Sequence, residues 1–164
     1  MKAWVLIIMG SDSDAEVMSG AATALDELGI GYEFTVASAH RSPDRAKQIV
    51  TDAEANGCAV FIAGAGMAAH LPGVVASLTT KPVIGVPLAS GAMQGVDALY
   101  AIVQMPPGIP VASVAIGGAR NAGILAAQMI ATADADVAQR LKAQRVSMAE
   151  GVVSRSKKVE KSTR

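Results

Sequence analysis

Five short apolar runs, each ended by a glycine, serine or proline turn and followed by a helical pattern, set the terms on which this chain can fold. They lie at Ala3 to Met9, Tyr32 to Ala37, Ala59 to Ala63, Pro82 to Val86 and Pro110 to Ile116, and several are apolar at odd and even positions alike. A strand apolar on both faces has to be covered on both faces, which is the situation in a parallel sheet with helices above and below. Between the runs, residue spacing predicts helices over Asp14 to Leu28 and Pro43 to Asn56, a shorter one beginning near His70 to Pro72, and another over Val96 to Gln104. Two more are expected over Asn121 to Ala131 and Ala135 to Ala149. Strand and helix in alternation, joined by right-handed crossovers, give a three-layer α/β/α sandwich. The expected organisation is one domain over residues 1–152, without a linker or internal repeat, and a basic, frayed tail over 153–164.

Composition narrows the partners. Lys and Arg number 14 against 14 for Asp and Glu, so no global field draws the chain onto nucleic acid or an anionic membrane. With 51% hydrophobic and 17% charged residues, the 164-residue chain can bury a sizeable core, and a small-molecule partner is favoured. No segment approaches a membrane span, and the opening MKAWVLIIMG stops at a Gly-Ser turn without a cleavage pattern. The single cysteine, Cys58, lies in an apolar run and is expected to be a buried, inert thiol, which suits the cytoplasm.

In sheets of this kind ligands bind where strands lead into helices, and the unusual residues of this chain fall there. The first turn is GSDSD, residues 10 to 14. Gly10 permits a tight turn, and the free N–H groups of the next helix suit a phosphate. Ser13 followed by Glu16 also reads as a capping box, which would explain both residues without a ligand. In the second turn, SAHRSPD, Ser42 is a candidate cap and Pro43 a first helical residue, leaving Ser38, His40 and Arg41 unexplained. An arginine beside a helix start can hold a phosphate bidentately, whereas a surface salt bridge would contribute little. The third turn, AGAGMAAHLPG, carries Gly64, Gly66 and the other histidine, His70. A lone GxG is weak evidence, and His70 could simply satisfy a helix end. The coincidence of both histidines, an arginine and the glycine-rich turns at one sheet edge marks that edge as the expected active site.

MGSDSD, SAHRSP, GAGMAAHLPG, PVIGVPLASGAMQGVDALYAIVQMPPGIPVASVAIG and NAGILAAQMIA, in this order over about positions 4 to 150, resemble the class I N5-carboxyaminoimidazole ribonucleotide mutases of bacterial purine biosynthesis. The resemblance implies a flavodoxin-like fold, a homo-octamer, and interconversion of N5-carboxyaminoimidazole ribonucleotide with its C4-carboxylated isomer, without ATP, metal or any other cofactor. It carries His40 onto the catalytic histidine and gives His70 a supporting role. Asp14 matches the position on the ribose hydroxyls, with Ser11 also binding substrate and Ser13, Ser38 and Arg41 around the phosphate. Gly64, Gly66, Ala68 and Leu71 are expected to line the pocket on the carboxyl side. Met67 departs from the pattern, which leads one to expect glycine there, and Asp12 is expected to face solvent. The stretch GILAAQMIA, close to apolar all round, is expected to need cover from a neighbouring subunit, with loops 90–95 and 104–110 reaching a neighbour's site.

Other classes fit less well. Two histidines and one cysteine lack metal-ligand spacing. GxSxG is absent, as is GxGxxG after the first strand. A flavin-binding module should offer aromatic rings to the cofactor, yet aromatics make up 3% of the chain and Trp4 lies at the start of a strand. The nearest rival is the class II carboxylase, which takes aminoimidazole ribonucleotide and free CO2; the AHLPG stretch argues for the mutase.

Overall fold

The computed structural model describes residues 2–161. Five parallel strands, β1 (Trp4–Met9), β2 (Gly31–Val36), β3 (Cys58–Gly66), β4 (Val83–Leu88) and β5 (Ala112–Ser113), form one sheet in the order β2-β1-β3-β4-β5. Helices α1 (Ala15–Glu27), α2 (Pro43–Ala55), α3 (Leu71–Leu78), α4 (Val96–Val103), α5 (Ala119–Ala131) and α6 (Ala135–Val159) complete the three layers. This is the flavodoxin-like strand order. It reverses direction between β1 and β3, where a crevice opens at the carboxyl ends of the strands.

The alternation along β1 explains the two cores. Val5, Ile7 and Met9 pack with Val60 and Ile62 against α1 and α5, while Leu6 and Ile8 pack with Phe61 and Ala63 beneath α2, α3 and α4. Every residue of β4 is buried, as a central parallel strand requires. β2, at the sheet edge, leaves Phe34 and Val36 exposed. Helix α5 lies close against α1: a Cβ on Gly123 would stand 2.6 Å from the carbonyl oxygen of Ala21. The apolar residues of GILAAQMIA are therefore largely covered within the chain, with Gly123, Ala126, Ala127 and Ile130 buried. Large apolar side chains left in solvent cluster elsewhere, among them Met93, Val96, Tyr100 and Val103 on and before α4, and Val146, Met148, Val152, Val153 and Val159 on α6.

Three expectations of local structure need correction. The fifth strand, expected over Pro110 to Ile116, pairs only at Ala112 and Ser113. Pro110 has no N–H to offer, and the chain beyond Ser113 stays beside β4 through isolated bonds, Val114 N–H to the Gly85 carbonyl and Gly117 N–H to that of Pro87. Helix α6 does not stop at Ala149. It runs to Val159 through much of the stretch expected to be frayed, because no proline interrupts it and Lys157 and Lys158 complement the negative end of its dipole; residues 162–164 of that stretch lie outside the described residues. Finally, the capping box ahead of α1 is Ser11 with Asp14, two residues earlier than Ser13 with Glu16, because a single 3-10 turn, Asp12–Asp14, precedes the helix.

Candidate active site

The strands β1 to β4 each hand the chain to a helix at the same sheet edge, so helix N-termini with their unpaired N–H groups converge there. Gly10 leaves β1 with its N–H bonded to the Gly64 carbonyl at 3.2 Å, which keeps the first turn against β3. Asp14 Oδ2 then accepts from the Ser11 N–H at 3.1 Å, and the Ser11 hydroxyl accepts from the Ser13 hydroxyl at 2.9 Å. Burial raises the carboxyl of Asp14 above the ordinary aspartate value, against the lowering effect of its hydrogen bonds from Ser11 and Ser13. Asp12 is exposed, as expected.

The second turn is held by its own serines. Ser42 occupies the N-cap position of α2, yet its hydroxyl does not cap that helix. It clasps the backbone of Ser38, accepting from the Ser38 N–H at 3.0 Å and donating to the Ser38 carbonyl at 3.3 Å. Pro43 takes the first helical position as the sequence predicts. The Ser38 hydroxyl accepts from the Arg41 N–H, and the Arg41 guanidinium reaches back to the Gly10 carbonyl at 3.4 Å, joining the first two turns. His40 projects from this clasped loop into solvent-accessible space.

The third turn brings its histidine to meet the first. His40 Nε2 and His70 Nδ1 stand 2.8 Å apart, with the rings edge to face at 77°. One nitrogen must donate and the other accept. Two protonated rings would set N–H against N–H, so this contact holds one shared proton, and with both rings neutral one outer nitrogen of the pair accepts and the other donates. Met67, on the same turn, adopts a left-handed backbone at φ 53 and is 59% exposed. Glycine adopts that conformation without strain, which gives a physical reason for expecting glycine there.

A cavity of about 390 Å³ collects these groups: Ser11, Ser13 and Asp14 from the first turn, Ser38, His40 and Arg41 from the second, and Gly66, Ala68, His70 and Leu71 from the third. Gly64 is not in the lining. It is buried in β3, and the side chain of Met18 fills the space a Cβ would need. One polar side chain of the lining was not among the site residues singled out from the sequence. Ser90 follows β4 by two residues, and its position after the carboxyl end of a parallel strand was the signal that could have found it. Among the described residues no three His, Cys, Asp or Glu side chains converge as a metal site would require, and no helix is long and apolar enough to cross a membrane. Cys58 is buried far from the cavity lining, and burial pushes its thiol up to about 11, which keeps it unreactive.

A sequence model of the family described as AIR carboxylase matches residues 4–151. N5-carboxyaminoimidazole ribonucleotide mutase of Thermotoga maritima is 51% identical over 154 residues, covering 94% of this chain and 90% of that one. The protein of the same name from Bacillus subtilis is 51% identical, over 95% of this chain and 98% of its own. A phosphoribosylaminoimidazole carboxylase of Schizosaccharomyces pombe is 50% identical over 94% of this chain but 28% of its own length. Among solved structures, Treponema denticola PurE superposes with a TM-score of 0.88 at 29% identity, covering 97% of this chain and 99% of that one.

Proposed function

The chain belongs to the AIR carboxylase family, and from that premise we propose that it is a cytoplasmic mutase converting N5-carboxyaminoimidazole ribonucleotide to the 4-carboxy isomer in purine biosynthesis. The observation that carries the chemistry is the His40–His70 contact inside a cavity whose other end is rich in anion-binding groups. Phosphate sits against Ser11, Ser13, Ser38 and Arg41, where helix N-termini add their positive ends. Asp14, a desolvated carboxylate at the mouth of α1, accepts from the ribose hydroxyls. The imidazole of the substrate is thereby directed toward the histidine pair.

The atoms of the isomerisation balance within the site. The N5–carboxyl bond breaks to release CO2, and N5 takes up a proton. C4 then attacks the retained CO2, and the proton on C4 leaves to restore the aromatic ring. The net change is one carboxyl moved from N5 to C4 and one proton moved the opposite way, so no ATP, metal or other cofactor is consumed. A pair of imidazoles sharing one proton is suited to this: one outer nitrogen accepts from C4 while a proton is returned to N5. Ala65, Ala68 and Leu71 provide an apolar wall beside which CO2, itself uncharged, is held against escape to water.

The carboxylase name of the Schizosaccharomyces pombe relative supports a second reading, in which aminoimidazole ribonucleotide and free CO2 are the substrates. The two are separated by supplying the N5-carboxylated nucleotide without ATP in labelled bicarbonate. A mutase forms the C4 product with little label in the first turnover; full label incorporation, or a clear preference for the uncarboxylated nucleotide, contradicts it.

The exposed apolar side chains of α4 and α6 support assembly, and the family resemblance makes that a homo-octamer in which loops 90–95 and 104–110 approach a neighbour's site. Light scattering should give the octamer mass at low micromolar concentration; a stable monomer would contradict it.

A further inference from the structure

Along the sheet edge the site is built strand by strand. β2 supplies Ser38, His40 and Arg41, β1 supplies Ser11, Ser13 and Asp14, β3 supplies Gly66, Ala68 and His70, and β4, the next strand over, supplies Ser90 alone. Adjacent strands lie about 4.8 Å apart, so the end of β4 is roughly 10 Å from the end of β1, on the side away from the anion-binding serines. Other polar side chains of the lining are engaged: the Ser11 and Ser13 hydroxyls with each other, the Ser38 hydroxyl with the Arg41 N–H, and the two histidines with one another. The Ser90 hydroxyl makes no hydrogen bond among the described residues. Its Oγ stands over the bare Cα of Gly66, in the space a Cβ there would occupy, so glycine at 66 is what admits this hydroxyl to the cavity wall.

The segment that presents Ser90 is held in shape. Gln94 has a left-handed backbone at φ 50, its side-chain amide donates to the Gly91 carbonyl at 2.8 Å, and Gly91 lies beside Met67 of the third turn. The wall around Ser90 is otherwise apolar or bare, with Ala65, Gly66, Met67, Ala68 and Leu71. The side chains of such a wall accommodate CO2 but offer no donor to a carboxylate, which is a strong acceptor and is costly to desolvate unpaired.

We propose that Ser90 is a carboxyl-binding residue, donating its hydroxyl hydrogen to an oxygen of the carboxyl group at C4. This rests on the mutase reading above. The bond is weak to CO2 and strengthens as negative charge gathers on the oxygens during C–C bond formation, so it favours the transition state over the bound gas.

The test compares two nucleotides on the full chain by calorimetry: aminoimidazole ribonucleotide, which lacks the carboxyl group, and the 4-carboxylated product. Ser90→Ala should leave affinity for the first within about twofold, and should weaken the second by about tenfold or more, the loss expected for a hydrogen bond to a charged group. Retained binding of the uncarboxylated nucleotide also reports that the variant is folded. Equal loss for both nucleotides, or no loss for either, would overturn the role of Ser90. Failure of the unsubstituted chain to bind either nucleotide would instead overturn the functional reading on which it rests.

Discussion

At the carboxyl ends of the strands a cavity of about 390 Å³ brings together four serines, an aspartate, an arginine and both histidines of the chain. At the opposite ends of the same strands lie two larger cavities, of about 500 and 510 Å³, lined by residues such as Ala3, Val60, Pro82, Ile109 and Met129, with Lys2, Lys81 and Asp134 as their charged members. Size alone would point to the wrong end. What separates them is the direction of the chain: in a parallel sheet each crossover helix begins at the carboxyl edge, so N–H groups and positive dipole ends gather there. The reversal of strand order between β1 and β3 then holds the first and third turns side by side around the crevice. The other edge receives helix C-termini and offers an anion nothing comparable.

The contrast can be tested by substitution at each end. His40→Asn should have the largest effect, lowering turnover by about 100-fold or more while nucleotide affinity stays within about tenfold, since it removes a proton carrier and leaves the anion end intact. Turnover at the parental rate would remove His40 from the chemistry. Arg41→Ala should act on affinity, weakening nucleotide binding by about 1.5 to 3 kcal/mol through loss of a charge-assisted contact. Titration calorimetry with unchanged affinity would place Arg41 outside the site.

Asp14→Asn should separate stability from binding. The folded-state value of Asp14 is raised, so its contribution to stability is present below the unfolded value and is lost as pH rises through the folded one. At neutral pH the ionised carboxyl is thus a local cost of the fold. The asparagine variant should be at least as stable as the parent at pH 7 and lose that advantage below about pH 4, where the parental carboxyl is protonated in both states. Its nucleotide affinity should fall by about tenfold through the weaker acceptor. Denaturation midpoints at the two pH values check the first part, and an advantage that grows on acidification would contradict it. Smallest of all, Lys81→Ala at the opposite edge should leave kcat/KM within about twofold, as for an ordinary surface position. A larger change there would mean that the amino edge takes part in function.

Much of this arrangement was legible in the residues because it depends on short-range rules. β1 and β4 are apolar on both faces and announce a buried parallel sheet, and Pro43 marks its helix start without help from tertiary contacts. The site was legible to the extent that its members sit in turns with no packing role, as His40 and Arg41 do. Where local rules gave a poorer reading, tertiary geometry decided. Ser42 has the right residue type and place for a cap, but its hydroxyl is taken by the Ser38 backbone. Gly64 looked like a place for ligand approach, and the structure gives that space to Met18. Ser90 follows the carboxyl end of β4 as a site residue should, but its aim at the cavity is set by β4 lying beside β3 with Gly66 leaving room for it. The extent of α6 past Ala149 follows from the absence of a strong stop signal, since Gly151 alone did not end the helix.

The most direct measurement is a crystal structure of the chain with the 4-carboxylated nucleotide bound. It should show phosphate against Ser11, Ser13, Ser38 and Arg41, ribose hydroxyls on Asp14, and the imidazole ring beside the His40–His70 pair at the carboxyl edge of the sheet. A nucleotide seated in either cavity at the amino edge, or bound at the carboxyl edge with its ring turned away from both histidines, would contradict the assignment of the active site.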